Sequence, residues 1–418
     1  MQKRVAFVTL GCKLNFSETS TFARKFEAAG YLRVSDDAVA DLYVVNTCSV
    51  TEHADKKCRQ TIRKLQKQNP EAIIVVAGCY AQLQPEQIAG IGGVDAVIGA
   101  EKKGELFEIA DSVLRKRSTA LLCSCNIADV GSIFPAYSQG ERTRSFLKIQ
   151  DGCNYNCSYC TIPLARGKSR NLPIQVLVAQ AREIAAKGVK EIVLTGVNTG
   201  DYGRSTGEDF LDLLKALQEV EGIERYRISS IEPNLLREDI IAFISSGTKF
   251  QPHFHIPLQS GCDTVLAGMR RRYNSRMFAE KIKMIRRYMG DVFFGIDVIV
   301  GFPGEGEQEF AQTRAFLEEE IRPAAIHVFP YSRRANTDAA AMRNQVPEIV
   351  KTHRVGILMQ LSERLHDAYC SRFAGSEQEV LFESTQKGGK MFGYTGNYIK
   401  VERPYKAELI GQIVKVLL

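Results

Sequence analysis

Residues 151–160 read Asp-Gly-Cys-Asn-Tyr-Asn-Cys-Ser-Tyr-Cys, so Cys153, Cys157 and Cys160 place three thiols in a C-x3-C-x2-C pattern. The rest of the stretch is Gly, Asn, Ser and Tyr, a loop composition, whereas free cysteine prefers apolar cores. Thiolates crowded on a polar loop repel one another unless a metal centre holds them. Three ligands rather than four is the informative number. Structural zinc is closed by four protein ligands, and no fourth Cys or His follows close in this stretch. Iron–sulfur clusters are also held by closely spaced thiolates. Three thiolates leave one iron open to an outside ligand, the open-position logic of a catalytic metal site. A zinc or redox-sensing loop is the plainer alternative, and the missing fourth ligand counts against it.

A second thiol set is spread along the first part of the chain. Short apolar runs at 4–10, 41–47 and 72–77 end next to Cys12, Cys48 and Cys79, with amphipathic helical patterns at Ser17–Ala29 and Ala54–Gln68 between them. Strands alternating with helices predict a parallel sheet covered by helices. Each cysteine then falls just past the carboxyl end of its strand, the edge where open α/β sheets bind ligands. The topology thus builds a second three-thiolate site; buried cysteines that happen to cap strands are the alternative. Cys58 falls inside a predicted helix as a core or surface thiol. Cys123 and Cys125 read as one strand with both thiols on the same face, and Cys262 and Cys370 show no partner.

The elements that must position these groups follow from size and composition. With 418 residues, 44% hydrophobic and 25% charged, the chain is long enough for two or three domains with ordinary globular cores. A net charge of +7 permits a polyanionic partner without requiring one. Eleven cysteines point to a reducing compartment and to metal or catalytic use rather than disulfides. The apolar run before Gly11-Cys12 is too short for a signal core, and no stretch approaches the ~20 apolar residues of a membrane span. A cytoplasmic protein is expected.

Residues 1–125 form the expected N-terminal domain, and 126–142, polar with Gly131, Pro135 and Gly140, the expected linker. Over 143–372 strands are predicted at 146–150, 190–195, 225–230, 253–256, 292–299 and 325–329. Helices are predicted at 174–187, 209–220, 236–245, 275–289 and 307–319. Six such units predict a partial (β/α)6 barrel with functional residues at the carboxyl ends of its strands. His253 and His255, two apart on one strand, read as a structural pair rather than zinc ligands. The basic runs Arg166-Gly167-Lys168-Ser169-Arg170 and Arg270-Arg271-Arg272-Tyr273 are candidate RNA contacts. Residues 373–418 shift to short β-rich runs with Gly turns, which predicts a small antiparallel β-barrel. Lys387, Lys390, Lys400, Arg403 and Lys406, with Tyr394, Tyr398 and Tyr405, offer it phosphate and stacking contacts.

C-x3-C-x-aromatic-C, with Tyr159 as the aromatic, resembles the signature of radical S-adenosylmethionine enzymes, in which the open iron is chelated by S-adenosylmethionine and a 5′-deoxyadenosyl radical is released. A preceding domain with three cysteines makes the chain similar to the methylthiotransferases of that class. The resemblance implies two [4Fe–4S] clusters, one on Cys153, Cys157 and Cys160 and an auxiliary one on Cys12, Cys48 and Cys79. It also implies S-adenosylmethionine contacts at Tyr159, Thr195, Gly196, Asn198, Ser230, Glu232, Gln259 and Asp297. Gly304-Glu305-Gly306 stands where the family often has Gly-Glu-Thr, which puts a hydroxyl contact at 306 in doubt. The last segment resembles the TRAM RNA-binding module. Gly11-Cys12-Lys13-Leu14-Asn15 resembles the branch that acts on N6-threonylcarbamoyladenosine beside the tRNA anticodon. The expected RNA contacts are Arg166, Lys168, Arg170, Lys387, Lys390, Lys400 and Arg403, and the expected partners are the tRNA anticodon region and an unidentified electron donor, with no membrane and a monomeric chain. The rivals are the same chemistry on a ribosomal-protein aspartate and a metal-stabilised RNA-binding protein without catalysis.

Overall fold

The computed structural model describes residues 2–113 and 119–418. The first sheet has six strands, all parallel, in the order β2-β1-β3-β4-β5-β6. They are β1 (Arg4–Thr9), β2 (Leu32–Val34), β3 (Leu42–Thr47), β4 (Ile73–Gly78), β5 (Ala96–Ile98) and β6 (Leu121–Cys123). Alternate residues feed two cores: Tyr43, Val45, Ile74 and Val76 on one face, Leu42, Val44, Val75 and Ala77 on the other. Helices cover both faces, which is why these strands read as unbroken apolar runs. Helix α1 (Lys13–Ala28) follows β1 and helix α2 (Glu52–Gln68) follows β3. Cys123 ends β6 and Cys125 lies beyond it, so the two thiols do not share the strand face expected of them.

The central part holds β7 (Ser145–Lys148), a short antiparallel pair β8 (Gln150–Asp151) and β9 (Arg170–Asn171), then β10 (Glu191–Thr195), β11 (Arg225–Ile228), β12 (His253–Gln259), β13 (Phe293–Val300) and β14 (Ala325–Pro330). Two parallel sheets, β11-β10-β7 and β12-β13-β14, meet through a Tyr226–Phe250 bridge and an Ile231 N–H donating to His255 O at 3.1 Å. The result is the expected open six-stranded barrel around one large apolar core. The β8–β9 pair closes the base of the cysteine loop.

The stretch between the first two parts is pinned rather than loose: Thr21 and Arg24 on α1 donate to Tyr137 O, and Ser20 Oγ accepts from Gln139 N. A long helix, Glu348–Ser371, packs on β14 and leads into a four-stranded antiparallel sheet. This sheet, β17-β16-β15-β18, comprises β15 (Glu377–Lys387), β16 (Lys390–Thr395), β17 (Lys400–Pro404) and β18 (Ile413–Leu417), curled around Val380, Phe382, Met391 and Val401. Among the described residues no helix is long and apolar enough to cross a membrane.

Candidate functional site

The cysteine loop depends on two glycines. Gly152 has φ +73°, and a Cβ there would meet Lys168 O at 2.1 Å; Gly167 has φ +74° and its carbonyl accepts from Cys153 N at 3.0 Å. Only glycine takes such a backbone at such a distance. The loop then aims donors at its sulfurs. Tyr155 N–H lies 3.4 Å from Cys153 Sγ, Ile162 N–H 3.5 Å from Cys160 Sγ, and Arg271 Nη1 3.1 Å from Cys157 Sγ. Burial nevertheless pushes the thiols up, Cys153 to about 11 and Cys160 to about 12. Donors that would stabilise thiolates, around thiols that burial keeps protonated, fit a site completed by metal. The sulfurs are also spread. Among the described residues neither cysteine triad gathers its three sulfurs within 4.8 Å of one another. A single zinc ion draws thiolate sulfurs to about 3.8 Å apart. Neither triad is gathered tightly enough to close on one such ion.

Around this loop the barrel rim leaves polar atoms without protein partners: Asn198 Nδ2, Asp201 Oδ2, Ser229 Oγ and Gln259 Oε1 are all buried and unpaired. Such atoms call for a ligand. Gln259 also holds φ +68°, strain of the kind that collects at binding sites. Gln150 Oε1 accepts from Val197 N and Asn198 N, and a Cβ at Gly196 would come within 2.9 Å of that oxygen. Thr195 is buried and its hydroxyl donates to Val193 O, so it shapes the strand end. Ser230 is half-buried, its carbonyl accepting from Thr199 N. Glu232 is clamped by Arg271 with one contact at 2.7 Å. Burial pushes its carboxyl up while Arg271 pulls the other way. Asp297 Oδ1 is 2.6 Å from His255 Nε2. Gln259 and Asp297 share a cleft of about 220 Å3 with Tyr159, Cys160, Val50 and Thr51.

Val50 and Thr51 follow Cys48, so the cleft lies between the Cys160 loop and the loop that leaves Cys48. Cys12 caps α1, Cys48 follows β3 and Cys79 opens a short helix after β4. Close packing here also requires glycine: a Cβ on Gly11 would sit 2.7 Å from Cys48 Cβ, and one on Gly78 2.3 Å from Thr47 O, both at positive φ. Burial pushes Cys48 to about 12, with Cys79 adding to the effect. Cys58, fully buried, donates to Cys48 O at 3.4 Å and acts as a core thiol behind the site. Asn15 Nδ2 donates to Leu10 O and Thr47 O, tying together the strand ends that carry Cys12 and Cys48.

The first basic run is not a surface for RNA, whereas Arg270 and Arg272 of the second are exposed. Arg166 is 2% exposed, donating to Asp151 at 2.8 Å, Glu18 at 3.3 Å and Asn15 Oδ1 at 2.5 Å. Lys103 and Lys148 complete a buried five-charge cluster on Glu18. Arg170 is also buried, donating to Val130 O and Lys168 O. Phosphates cannot reach either guanidinium, because partners from distant segments enclose both; Lys168 alone of that run is exposed. Arg271 belongs to the cluster rim, and Arg272 stacks 3.9 Å over Tyr155. On the last sheet Lys387, Lys390 and Lys400 are exposed, Lys390 paired with Glu402, while Arg403 is half-buried and donates to Leu417 O. His253 is buried, its ring tilted against Tyr398 at 4.4 Å and stacked on Phe293 at 5.2 Å. Burial holds its imidazole well below its ordinary range, and so neutral.

Sequence reasoning missed a second cavity, of about 420 Å3, bordered by Gly11, Cys12, Lys13, Phe16, Arg142, Arg144, Arg227, His253 and Tyr398. Three parts of the chain meet here, so no local signal marks it. Burial lowers the Lys13 ammonium's pKa, although solvent in the cavity reaches the side chain.

Residues 4–99 match the Uncharacterized protein family UPF0004, residues 147–317 the Radical SAM superfamily and residues 371–418 the TRAM domain. The Threonylcarbamoyladenosine tRNA methylthiotransferase MtaB of Bacillus subtilis is 41% identical over 99% of this chain and 93% of its own. Its namesake from Aquifex aeolicus is 37% identical over 99% of this chain and 100% of its own. The tRNA-2-methylthio-N(6)-dimethylallyladenosine synthase of Thermobifida fusca is 35% identical over 89% of this chain and 76% of its own. The radical S-adenosylmethionine methyltransferase TsrM from Kitasatospora setae, with cobalamin and a [4Fe-4S] cluster bound, shares the fold. Its TM-score is 0.58 over 94% of this chain and 81% of that one, at 13% identity. With such relatives over nearly its whole length, the chain belongs to the MtaB-like radical S-adenosylmethionine methylthiotransferases.

Proposed function

We propose that this chain converts N6-threonylcarbamoyladenosine, beside the anticodon of tRNA, to its 2-methylthio derivative. The observation that carries this reading is the cleft where the loop after Cys48 faces Cys160, Gln259 and Asp297. A space bounded by the Cys160 loop and the loop after Cys48 suits a reaction that draws on groups from both parts of the chain. The relatives named for this tRNA reaction support the substrate.

When bound, the two [4Fe–4S] clusters and S-adenosylmethionine supply the electron, the carbon radical, the methyl group and the sulfur. Cys153, Cys157 and Cys160 hold the first cluster and Cys12, Cys48 and Cys79 the second. Asn198, Ser230, Glu232, Gln259 and Asp297, shaped by Tyr159, Thr195 and Gly196, form the rim that orients S-adenosylmethionine. The cavity beside Cys12 offers the substrate a partly aromatic wall of Phe16, Phe146 and Tyr398. Lys168, Lys387, Lys390, Lys400 and Arg403 offer cations to the tRNA backbone, contacts that position without reading sequence. The protein works as a cytoplasmic monomer and takes its electron from a separate donor.

Mass spectrometry of tRNA nucleosides from cells with and without this gene tests the reading. Loss of the 2-methylthio form with accumulation of N6-threonylcarbamoyladenosine is expected. An unchanged nucleoside profile, in cells that make the modification, would move the substrate to a protein.

A further inference from the structure

Four cations border the cavity beside Cys12, and the protein neutralises only two of them. Arg227 donates to Glu191 at 2.8 Å and to the carbonyls of Gly396 and Thr395. Arg144 pairs with Glu383 at 2.6 Å. Among the described residues, Lys13 and Arg142 have no acid within ion-pair distance and no hydrogen bond to the protein. Arg142 lies 4.7 Å above the Phe16 ring and 5.8 Å from that of Phe146, which fixes its guanidinium plane and leaves its N–H edges free.

Lys13 is the more telling of the two. It is the first residue of α1, which has no acidic residue in its first turn and no side-chain cap. The free N–H groups there already make the potential positive, the least favourable end of a helix for a lysine. An unpaired cation at the positive end of a helix, beside a second unpaired cation on the same cavity wall, favours the arrival of an anion. Tyr398, in the turn between β16 and β17, also lines the cavity and has φ +64°, a strained backbone for a tyrosine. Two free cations, uncapped helix N–H groups and aromatic walls make a receptor for a planar anion attached to a ring.

We propose that Lys13 and Arg142 bind the threonyl carboxylate of the substrate adenosine and select it over adenosines with uncharged N6 groups. The proposal rests on the function proposed above and adds the residues that read the side arm. The carboxylate takes the Arg142 N–H edge and the Lys13 ammonium, while the aromatic walls cover the apolar part of the arm. A substrate with a neutral, apolar N6 group would leave both cations unpaired, which penalises it as well as rewarding the acid.

The test uses the full chain loaded with iron and sulfide, and two anticodon stem-loops. One carries N6-threonylcarbamoyladenosine, the other its threoninamide, which replaces the carboxylate by a neutral carboxamide. Kd is read by fluorescence anisotropy and product by mass spectrometry. The wild type is expected to bind the acid about tenfold or more tightly than the amide, as for a buried charge pair. Lys13→Met and Arg142→Met should each bring that ratio towards one by weakening the acid alone. Arg142 is not adjacent to any cluster cysteine, the nearest in sequence being Cys153 eleven residues on, so its variant carries the test if Lys13→Met loses iron. Equal binding and equal methylthiolation of both stem-loops by the wild type overturn the carboxylate receptor and leave the proposed function intact. So do variants that weaken acid and amide alike. If the wild type modifies neither stem-loop, the function proposed above falls and the receptor with it.

Discussion

Asn15 Oδ1 accepts a hydrogen bond from Arg166 Nη2 at 2.5 Å, which joins the helix behind Cys12 to the helix behind the Cys160 loop. The same asparagine holds the ends of β1 and β3, and the same arginine pairs with Asp151 two residues before Cys153. This contact, with Glu18 paired to Lys148 and Arg166, therefore helps to register the two thiol sets. Arg166→Met should leave Glu18 and Asp151 with two lysines for three cations and destabilise the protein by about 3 kcal/mol, as for other broken buried pairs. Denaturant unfolding reads the stability. Bound iron, measured in the same preparation, should fall because the rims no longer face each other in register. A variant with wild-type stability and iron would refute this role.

The thiol sets can be separated by mutation. With both clusters the protein should carry about eight irons, and removal of one ligand from either set should leave about four. Cys157→Ala is expected to abolish 5′-deoxyadenosine formation. Cys48→Ala should still cleave S-adenosylmethionine yet form no methylthio product. Methylthio product from the Cys48 variant would contradict the auxiliary assignment.

Glu18 gives a pH signature. Burial alone would raise its carboxyl, but Lys103, Lys148 and Arg166 outweigh it and hold it well below the ordinary carboxylate range. A group depressed on folding contributes stability that is fully present above the unfolded value, about 4.5, and is lost as pH falls through the folded one. The wild type should therefore lose stability steadily below about pH 4.5. Glu18→Gln should be less stable at pH 7 and show a shallower decline below pH 4.5. Asp151, held low by Arg166 and Lys148 against its own burial, supplies the slope that remains. Unfolding midpoints across that range check the prediction.

These groups also show what the sequence could carry. Both cysteine sets were legible, one from spacing within a loop and one from the phase of strand ends, and all six barrel strands fall near their predicted places. The three-residue strands β2 and β5 were not, because so short a run has no period to read. Arg166 sits in a run of basic and small polar residues that looks solvated. Its meaning lies in Glu18, 148 positions away in the chain. The cavity beside Cys12 draws on α1, the barrel and the last sheet, so only the folded chain brings Lys13, Arg142 and Tyr398 together.

That last sheet is held by arginines from the barrel. Arg227, 2% exposed, spends all three of its nitrogens: one on Glu191, two on the carbonyls of Thr395 and Gly396. Arg225 adds a hydrogen bond to Glu379 O at 3.0 Å. The Thr395–Gly396 carbonyls belong to the turn that presents Tyr398, whose ring lies 4.8 Å from the Arg227 guanidinium. Arg227→Ala should therefore release both the sheet and the tyrosine wall. With Glu191 left to Arg144 alone, a cost of about 3 kcal/mol falls on the contact between barrel and sheet. Limited proteolysis should then cut near residues 371–376, between the long helix and β15, faster than in the wild type. The Kd for the acid-bearing stem-loop should rise several-fold as the cavity opens. A variant that resists cleavage like the wild type would show that Arg225 and the Tyr398 contact with His253 suffice to hold the sheet.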